Sequence, residues 1–239
     1  MITKETSDLF RKGIGELGIR CTDVQINAFF VYLEELKKWN RAHNLTALET
    51  DREIIIKHFL DSLLFSKVLP DDIQTVADVG SGAGFPGIPI KIIKPHLWVF
   101  LIEPTKKKAV FLRHICNKLG LKQIEIVENR VEDIDDIQVD AALTRALFSI
   151  DDFIKKAGII LNPNGVLILS KGPKVDEELK KIELISISEK DFRIPVENIF
   201  TVWVPTPIYL SIKDFKLPIE NTNRHLVIIK FGCVKMNNA

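Results

Sequence analysis

The 239 residues carry 33 Lys and Arg against 32 Asp and Glu, a formal net charge of +1, with 46% hydrophobic residues, 12 Gly and 11 Pro. That balance excludes a disordered chain and a global polycation, so any nucleic-acid contact must come from local basic patches. The longest apolar run, IIIKHFLDSLLF, is broken by Lys57, His58 and Asp61, and falls short of the roughly 20 residues of a membrane span. The opening MITKETSDLF lacks the apolar core of a signal peptide, which points to a cytosolic, cytoplasmic protein. Cys21, Cys116 and Cys233 are far apart and free of CxxC spacing. They read as small hydrophobes, with no disulfide framework and no metal site.

In chain order, residues 1–70 read as a helical cap. Ile26, Phe29, Phe30, Leu33, Leu36 and Trp39 recur at helix spacing, with Thr22 or Asp23 available as N-cap. Residues 71–239 change to short β-branched runs separated by amphipathic segments, the pattern of a parallel sheet with crossover helices. Strands are expected at TVADVG, WVFLIE, IEIVE, VDAALT and GVLILSK, with helices near 87–94, 106–119, 150–161 and 174–183. FTVWVP and HLVIIKF then read as two closing strands of an antiparallel hairpin at the sheet edge.

The segment VADVGSGAGFPGIPIKII concentrates Gly80, Gly82, Gly84 and Gly87 between the first strand and a helix. A glycine-rich strand-to-helix turn is expected to leave unsatisfied N–H groups at the C-terminal edge of the sheet, where such folds bind ligands. GAGFPG satisfies GxGxxG, and Glu103 lies at the end of the second strand, where an acid accepts from ribose hydroxyls in NAD and S-adenosylmethionine sites alike. Asp78 inside the first strand can meet a methionine ammonium or anchor the loop. Val131 and Glu132 in RVED can give an adenine ring one apolar and one polar contact. NPNG before the fifth strand, and the strand pair after it, suit a seven-stranded methyltransferase sheet better than two mirrored mononucleotide halves.

The stretches YLEELKKWNRAHNLTAL, HFLDSLLF, ADVGSGAGFPGIPIKI, VDAALTRAL, NPNGVLILSKG and RHLVIIKF together resemble the RsmG family, also called GidB, over residues 25–231. The family comprises bacterial methyltransferases acting on a guanine N7 of small-subunit ribosomal RNA. The resemblance implies an α/β, Rossmann-like class I methyltransferase sheet of about seven strands under an N-terminal helical cap. Residues 71–239 would form the methyltransferase domain. It implies S-adenosylmethionine as cofactor, held by Gly80 and Phe85 with Val131 and Glu132 at the adenine, and Arg145 reaching cofactor or target. Asp78, Gly82, Gly84 and Glu103 complete the expected cofactor set, with Glu103 standing where the family often has Asp.

Guanine N7 offers a lone pair and no proton, so positioning rather than a general base carries its methylation. Arg145 and Lys171 close the fourth and fifth strands at the functional edge of the sheet and are assigned substrate-side catalytic roles. WNRAHNLTAL mixes Trp39, Asn40, Arg41, His43, Asn44 and Thr46 in a form suited to stacking and hydrogen-bonding RNA. Asn44, Lys171 and Arg224 are the expected RNA contacts. His58, Asp61 and Ser62 imitate a hydrolytic triad, but no GxSxG elbow accompanies them, and packing or capping is their expected use. The run Lys106–Lys108, with Arg113 and Lys118, is a solvated helix face or a phosphate-tracking surface. A non-catalytic adenosine-ligand-binding regulatory module and an NAD-dependent oxidoreductase stand as alternative functions.

Overall fold

The computed structural model describes residues 2–172, 175, 177–178 and 208–231. Thr3 caps α1 (Lys4–Glu16) through its hydroxyl, and Thr22 opens α2 (Asp23–His43) with a reciprocal cap. The Gln25 amide donates to the Thr22 hydroxyl while the Gln25 side chain accepts from the Thr22 amide. The apolar stripe of α2 then buries Ile26, Phe29, Leu33 and Leu36, as the spacing requires.

A second reciprocal cap at Thr50 starts α3 (Asp51–Ile54), which continues without a break into a π-helix (Ile55–Leu60), α4 (Asp61–Leu63) and a 3₁₀ turn (Leu64–Lys67). The π turn widens the helix inside the run that Lys57, His58 and Asp61 interrupt. Such insertions recur at functional sites, because they re-aim side chains and loosen carbonyls.

The sheet comprises β1 (Thr75–Val79), β2 (Trp98–Ile102), β3 (Ile124–Val127), β4 (Val139–Arg145), β5 (Leu161–Lys171), β6 (Ile208–Lys216) and β7 (Asn223–Phe231), in the order β3-β2-β1-β4-β5-β7-β6. Helices α5 (Gly87–Ile93), α6 (Lys106–Lys118) and α7 (Ile150–Ala157) make the crossovers. β1 to β5 pair in parallel, and β7 lies antiparallel to both β5 and β6. The closing hairpin is therefore present, but its first strand is IYLSIKDFK. FTVWVP lies outside the described residues, and so does most of the helix expected at 174–183, of which Val175, Glu177 and Glu178 are helical. β5 also begins four residues earlier than GVLILSK: Leu161 already pairs with Val139, across an irregularity near Val139/Ala141.

Side chains alternate cleanly across the sheet. Val76, Leu101, Leu143, Ile168 and Ile228 join a cluster that includes Phe10, Phe29 and Phe59 of the helical segment. Ala77, Ile102, Ala142, Leu167 and Ile229 face α7 and Phe153 on the other side. Both faces are thus covered, which explains the nearly continuous apolar strands. Residues of the helical segment and of the sheet share one buried cluster, so the cap sits against the sheet through core packing.

Candidate active site

The glycine loop follows β1 at the C-terminal edge of the sheet. Most of its amides are already paired within the protein. Gly80 and Ser81 donate to the Ile102 carbonyl, Gly84 and Phe85 to the Ser81 carbonyl, and Ile88 to the Gly84 carbonyl. Gly82 donates to Glu103 at 2.9 Å and Gly87 to Asp78 at 2.8 Å. The expectation of free N–H groups is corrected for all but the Ala83 amide: the Ile102, Ser81 and Gly84 carbonyls and two buried carboxylates satisfy the others. A pyrophosphate, which needs several amides at once, loses its cradle here.

What remains is close-approach surface. Gly82 has φ +59, and a Cβ built on it meets nothing nearer than the Gly80 carbonyl at 3.9 Å, so the space above it is open. Gly84, at φ +101, is different: a Cβ there would stand 2.6 Å from the Tyr32 hydroxyl. Tyr32 also donates to the Ala83 carbonyl, tying α2 to the loop. Gly80 lies under the half-exposed Leu147, so the segment after β4 roofs this end of the loop.

Asp78 is fully buried and takes the anchoring role, through Oδ2, while its Oδ1 has no hydrogen-bond partner. Burial raises its carboxyl to about 7, against the lowering effects of the Gly87 amide and the Arg145 charge. Glu103 accepts from Gly82 through one oxygen and from the Thr105 amide through the other, both at 2.9 Å. A carboxylate has about four acceptor positions, so this one, almost covered at 4% exposed, keeps capacity for hydroxyl donors while it shapes the loop.

Val131 is buried in a 3₁₀ turn (Val131–Asp133) after β3. Exposed Glu132 pairs with Lys156 at 2.7 Å, a hydrogen bond that lowers its carboxyl. Phe85 is buried between Tyr32 (5.2 Å, 15°) and His58 (4.3 Å, 15°), at the interface of loop and cap.

Arg145, the last residue of β4, is the centre of a polar network. Its Nη1 donates to the Lys57 carbonyl at 2.8 Å and to Asp61 at 3.3 Å, its Nη2 to His58 Nδ1 at 2.7 Å, and its Cζ lies 5.4 Å from the Phe85 ring centre. Arg224, at the start of β7, donates to the other oxygen of Asp61 at 2.6 Å. Lys171, closing β5, donates to the Phe148 carbonyl and to Glu178. The strand register therefore brings Arg145, Lys171 and Arg224 to one edge, with Arg145 and Arg224 sharing an anion. Exposed Asn44 ends α2 in the left-handed conformation (φ 49), its amide donating to the Asn40 carbonyl.

The triad imitation is resolved. Ser62 donates to the backbone carbonyl of His58, and Asp61 is held by two arginines. His58 and Asp61, for which packing or capping is expected, also join the polar network around Arg145. The available signal is their polarity three residues apart within an apolar run. Of the lysine-rich helix, Lys108 lies 3.9 Å from Glu103 and Arg113 pairs with Glu128. Among the described residues no helix is long and apolar enough to cross a membrane, and no three His, Cys, Asp or Glu side chains cluster as metal ligands.

Seven strands in this order, with one antiparallel member and the loop and acid at the ends of β1 and β2, define a class I methyltransferase fold rather than paired mononucleotide halves. A methyltransferase from Pyrococcus furiosus shares it with a TM-score of 0.55 and 14% identity, over 87% of this chain and 99% of that one. TYW2 from M. jannaschii, solved in complex with AdoMet, aligns with a TM-score of 0.51 and 14% identity over 74% and 76%. The family described as GidB, rRNA small subunit methyltransferase G, matches residues 25–197, and the chain belongs to that family. The ribosomal RNA small subunit methyltransferase G of Alkaliphilus oremlandii is 37% identical over 75% of this chain and 77% of its own. That of Neisseria meningitidis serogroup B is 34% identical over 82% and 94%.

Proposed function

We propose that the protein transfers a methyl group from S-adenosylmethionine to N7 of a guanine in small-subunit ribosomal RNA, in the cytoplasm. The family match over residues 25–197 carries this reading, since it spans the glycine loop, Glu103 and Arg145 together. The loop supports the cofactor assignment: all but one of its amides are spent internally and Gly82 presents an open face, which suits a nucleoside laid against backbone and not a pyrophosphate. Bound there, S-adenosylmethionine supplies an electrophilic methyl group.

The chain's own residues would then hold and aim. Gly80, Gly82, Gly84 and Phe85 shape the floor, with Asp78 anchoring it from beneath. Glu103 offers its remaining acceptor capacity to ribose hydroxyls, and Val131 and Glu132 flank the adenine position. Arg145 faces cofactor or target. Asn44, Lys171 and Arg224 are assigned to RNA, with residues 1–70 acting as the cap over the methyltransferase domain of 71–239. No base is required at N7, and none is offered by His58. Burial, then the Arg145 charge, push its imidazolium down to about 3.

Glu103→Ala is expected to weaken S-adenosylhomocysteine binding and to cost about 1–3 kcal/mol of folding stability, because it strands the Gly82 and Thr105 amides. Calorimetry and urea unfolding read the two effects separately. Binding as tight as wild type would remove Glu103 from the ribose. The function itself is tested with labelled S-adenosylmethionine and small-subunit particles or their RNA, digested to nucleosides and identified by mass. 7-Methylguanosine is expected, and label in another nucleoside overturns the reading.

A further inference from the structure

WNRAHNLTAL and HFLDSL are separate in sequence, yet the fold connects them. The Asn40 side chain accepts from the Thr46 amide at 2.9 Å, and Thr46 Oγ1 lies 2.7 Å from His58 Nε2 while accepting from the Leu48 amide. On its other side His58 presents Nδ1 to Arg145 Nη2 at 2.7 Å. A guanidinium has only donors, so Nδ1 is the acceptor, and Nε2 carries the proton and donates to Thr46. Phe85 stacks on the ring at 4.3 Å and fixes its plane.

We propose that His58 is a positioning residue for Arg145, the acceptor that fixes the rotation of its guanidinium at the ligand edge. Lys57 and Asp61 hold Nη1 only. The Asp61 contact is long at 3.3 Å, so Nη1 is held chiefly by the Lys57 carbonyl, and the 2.7 Å contact of Nη2 with His58 fixes the planar group at a second nitrogen. Nε and the second hydrogen of Nη2 have no acceptor among the described residues, so the lock determines where those donors point. A neutral ring suits this role, because a second cation in van der Waals range of Arg145 would repel what it must hold. Asn40 and Thr46 thereby act as the brace that keeps the His58 tautomer. The inference rests on the assignment of Arg145 to cofactor or target.

Turnover on small-subunit particles, measured with the whole chain, separates the two ring nitrogens. His58→Asn retains an acceptor at the δ position, whereas His58→Gln retains a group at the ε position near Thr46 and removes the δ acceptor. Turnover by His58→Asn is expected within about threefold of wild type, and that by His58→Gln lower by about thirtyfold, the scale of a misplaced aligning group. In the Arg145→Ala background, His58→Gln should cost nothing further. Equal activity of the two His58 variants, or an undiminished loss in that background, overturns the positioning role while leaving Arg145 in place. Full activity of Arg145→Ala alone overturns the Arg145 assignment, and this inference with it. Nitrogen NMR of labelled wild-type imidazole gives an answer independent of variant folding. A bare Nδ1 is expected at neutral pH, and a protonated Nδ1 overturns the proposal.

Discussion

Asp61→Ala is expected to destabilise the protein by about 3 kcal/mol and to abolish most methyl transfer, the largest loss for any single truncation at the sheet edge. Asp61 is 5% exposed and accepts from both Arg145 and Arg224. Removing it leaves two guanidiniums directed at one vacated position with no anion between them. Arg224 lies at the rim and can turn to water. Arg145 cannot do so without leaving the Lys57 carbonyl and His58. The loss is therefore concentrated on the residue proposed to face cofactor or target. Urea unfolding and turnover should fall together, and Asp61→Asn, which retains one strong acceptor, should lie between wild type and Ala. A stability change within about 0.5 kcal/mol, the range of ordinary surface substitutions, would show that the arginines find other partners.

Asp78→Asn is expected to stabilise the protein, and to do so only toward high pH. The folded carboxyl titrates at about 7 against an ordinary 3.8. The folded state therefore holds a proton that the unfolded chain releases between those values. Its contribution to stability is full below 3.8 and is lost as pH rises through 7. The amide of Asn retains an acceptor for Gly87 and never ionises, so at pH 8 the variant should exceed wild type by on the order of 4 kcal/mol. The gain should shrink toward pH 5 and vanish near 3.8. His58 works in the opposite sense. Its folded value of about 3 lies below the ordinary 6.5, so its contribution is present above 6.5 and is lost as pH falls. The wild-type profile alone is thus flattened where the two overlap. The difference between wild type and Asp78→Asn, from urea midpoints at several pH values, isolates the carboxyl, and parallel profiles would refute its buried titration.

The parallel strands β1 to β4 are legible in the sequence because they are short, β-branched and bounded by turn residues. Thr22 is legible as a cap from the Gln three positions later. IYLSIKDFK is not: its Lys213, Asp214 and Lys216 dilute the apolar pattern on an edge strand that needs only one buried face. At the site, the end-of-strand positions of Arg145 and Lys171 follow from chain order alone, and the glycines announce close approach. What the loop amides bind cannot follow, because the acceptors belong to Asp78, Ser81 and Glu103 in three-dimensional arrangement. The link from Thr46 through His58 to Arg145 is equally hidden, since it joins segments about a hundred residues apart in the chain and depends on a π turn that periodicity does not encode.

The position of β7 has a consequence for biosynthesis. This strand is made after β6 yet lies between β5 and β6, so β6 cannot join the sheet when it emerges and must wait for the strand that follows it. Until then β5 presents an unpaired edge, the kind of surface that recruits other chains. Arg224 arrives with that same strand, so the second arginine reaches Asp61 long after Asp61 itself has been synthesised. A nascent chain halted before residue 223 would have its glycine loop and Arg145 but neither a complete sheet nor a completed ion cluster. Assembly of the functional edge is in this way tied to translation of β7.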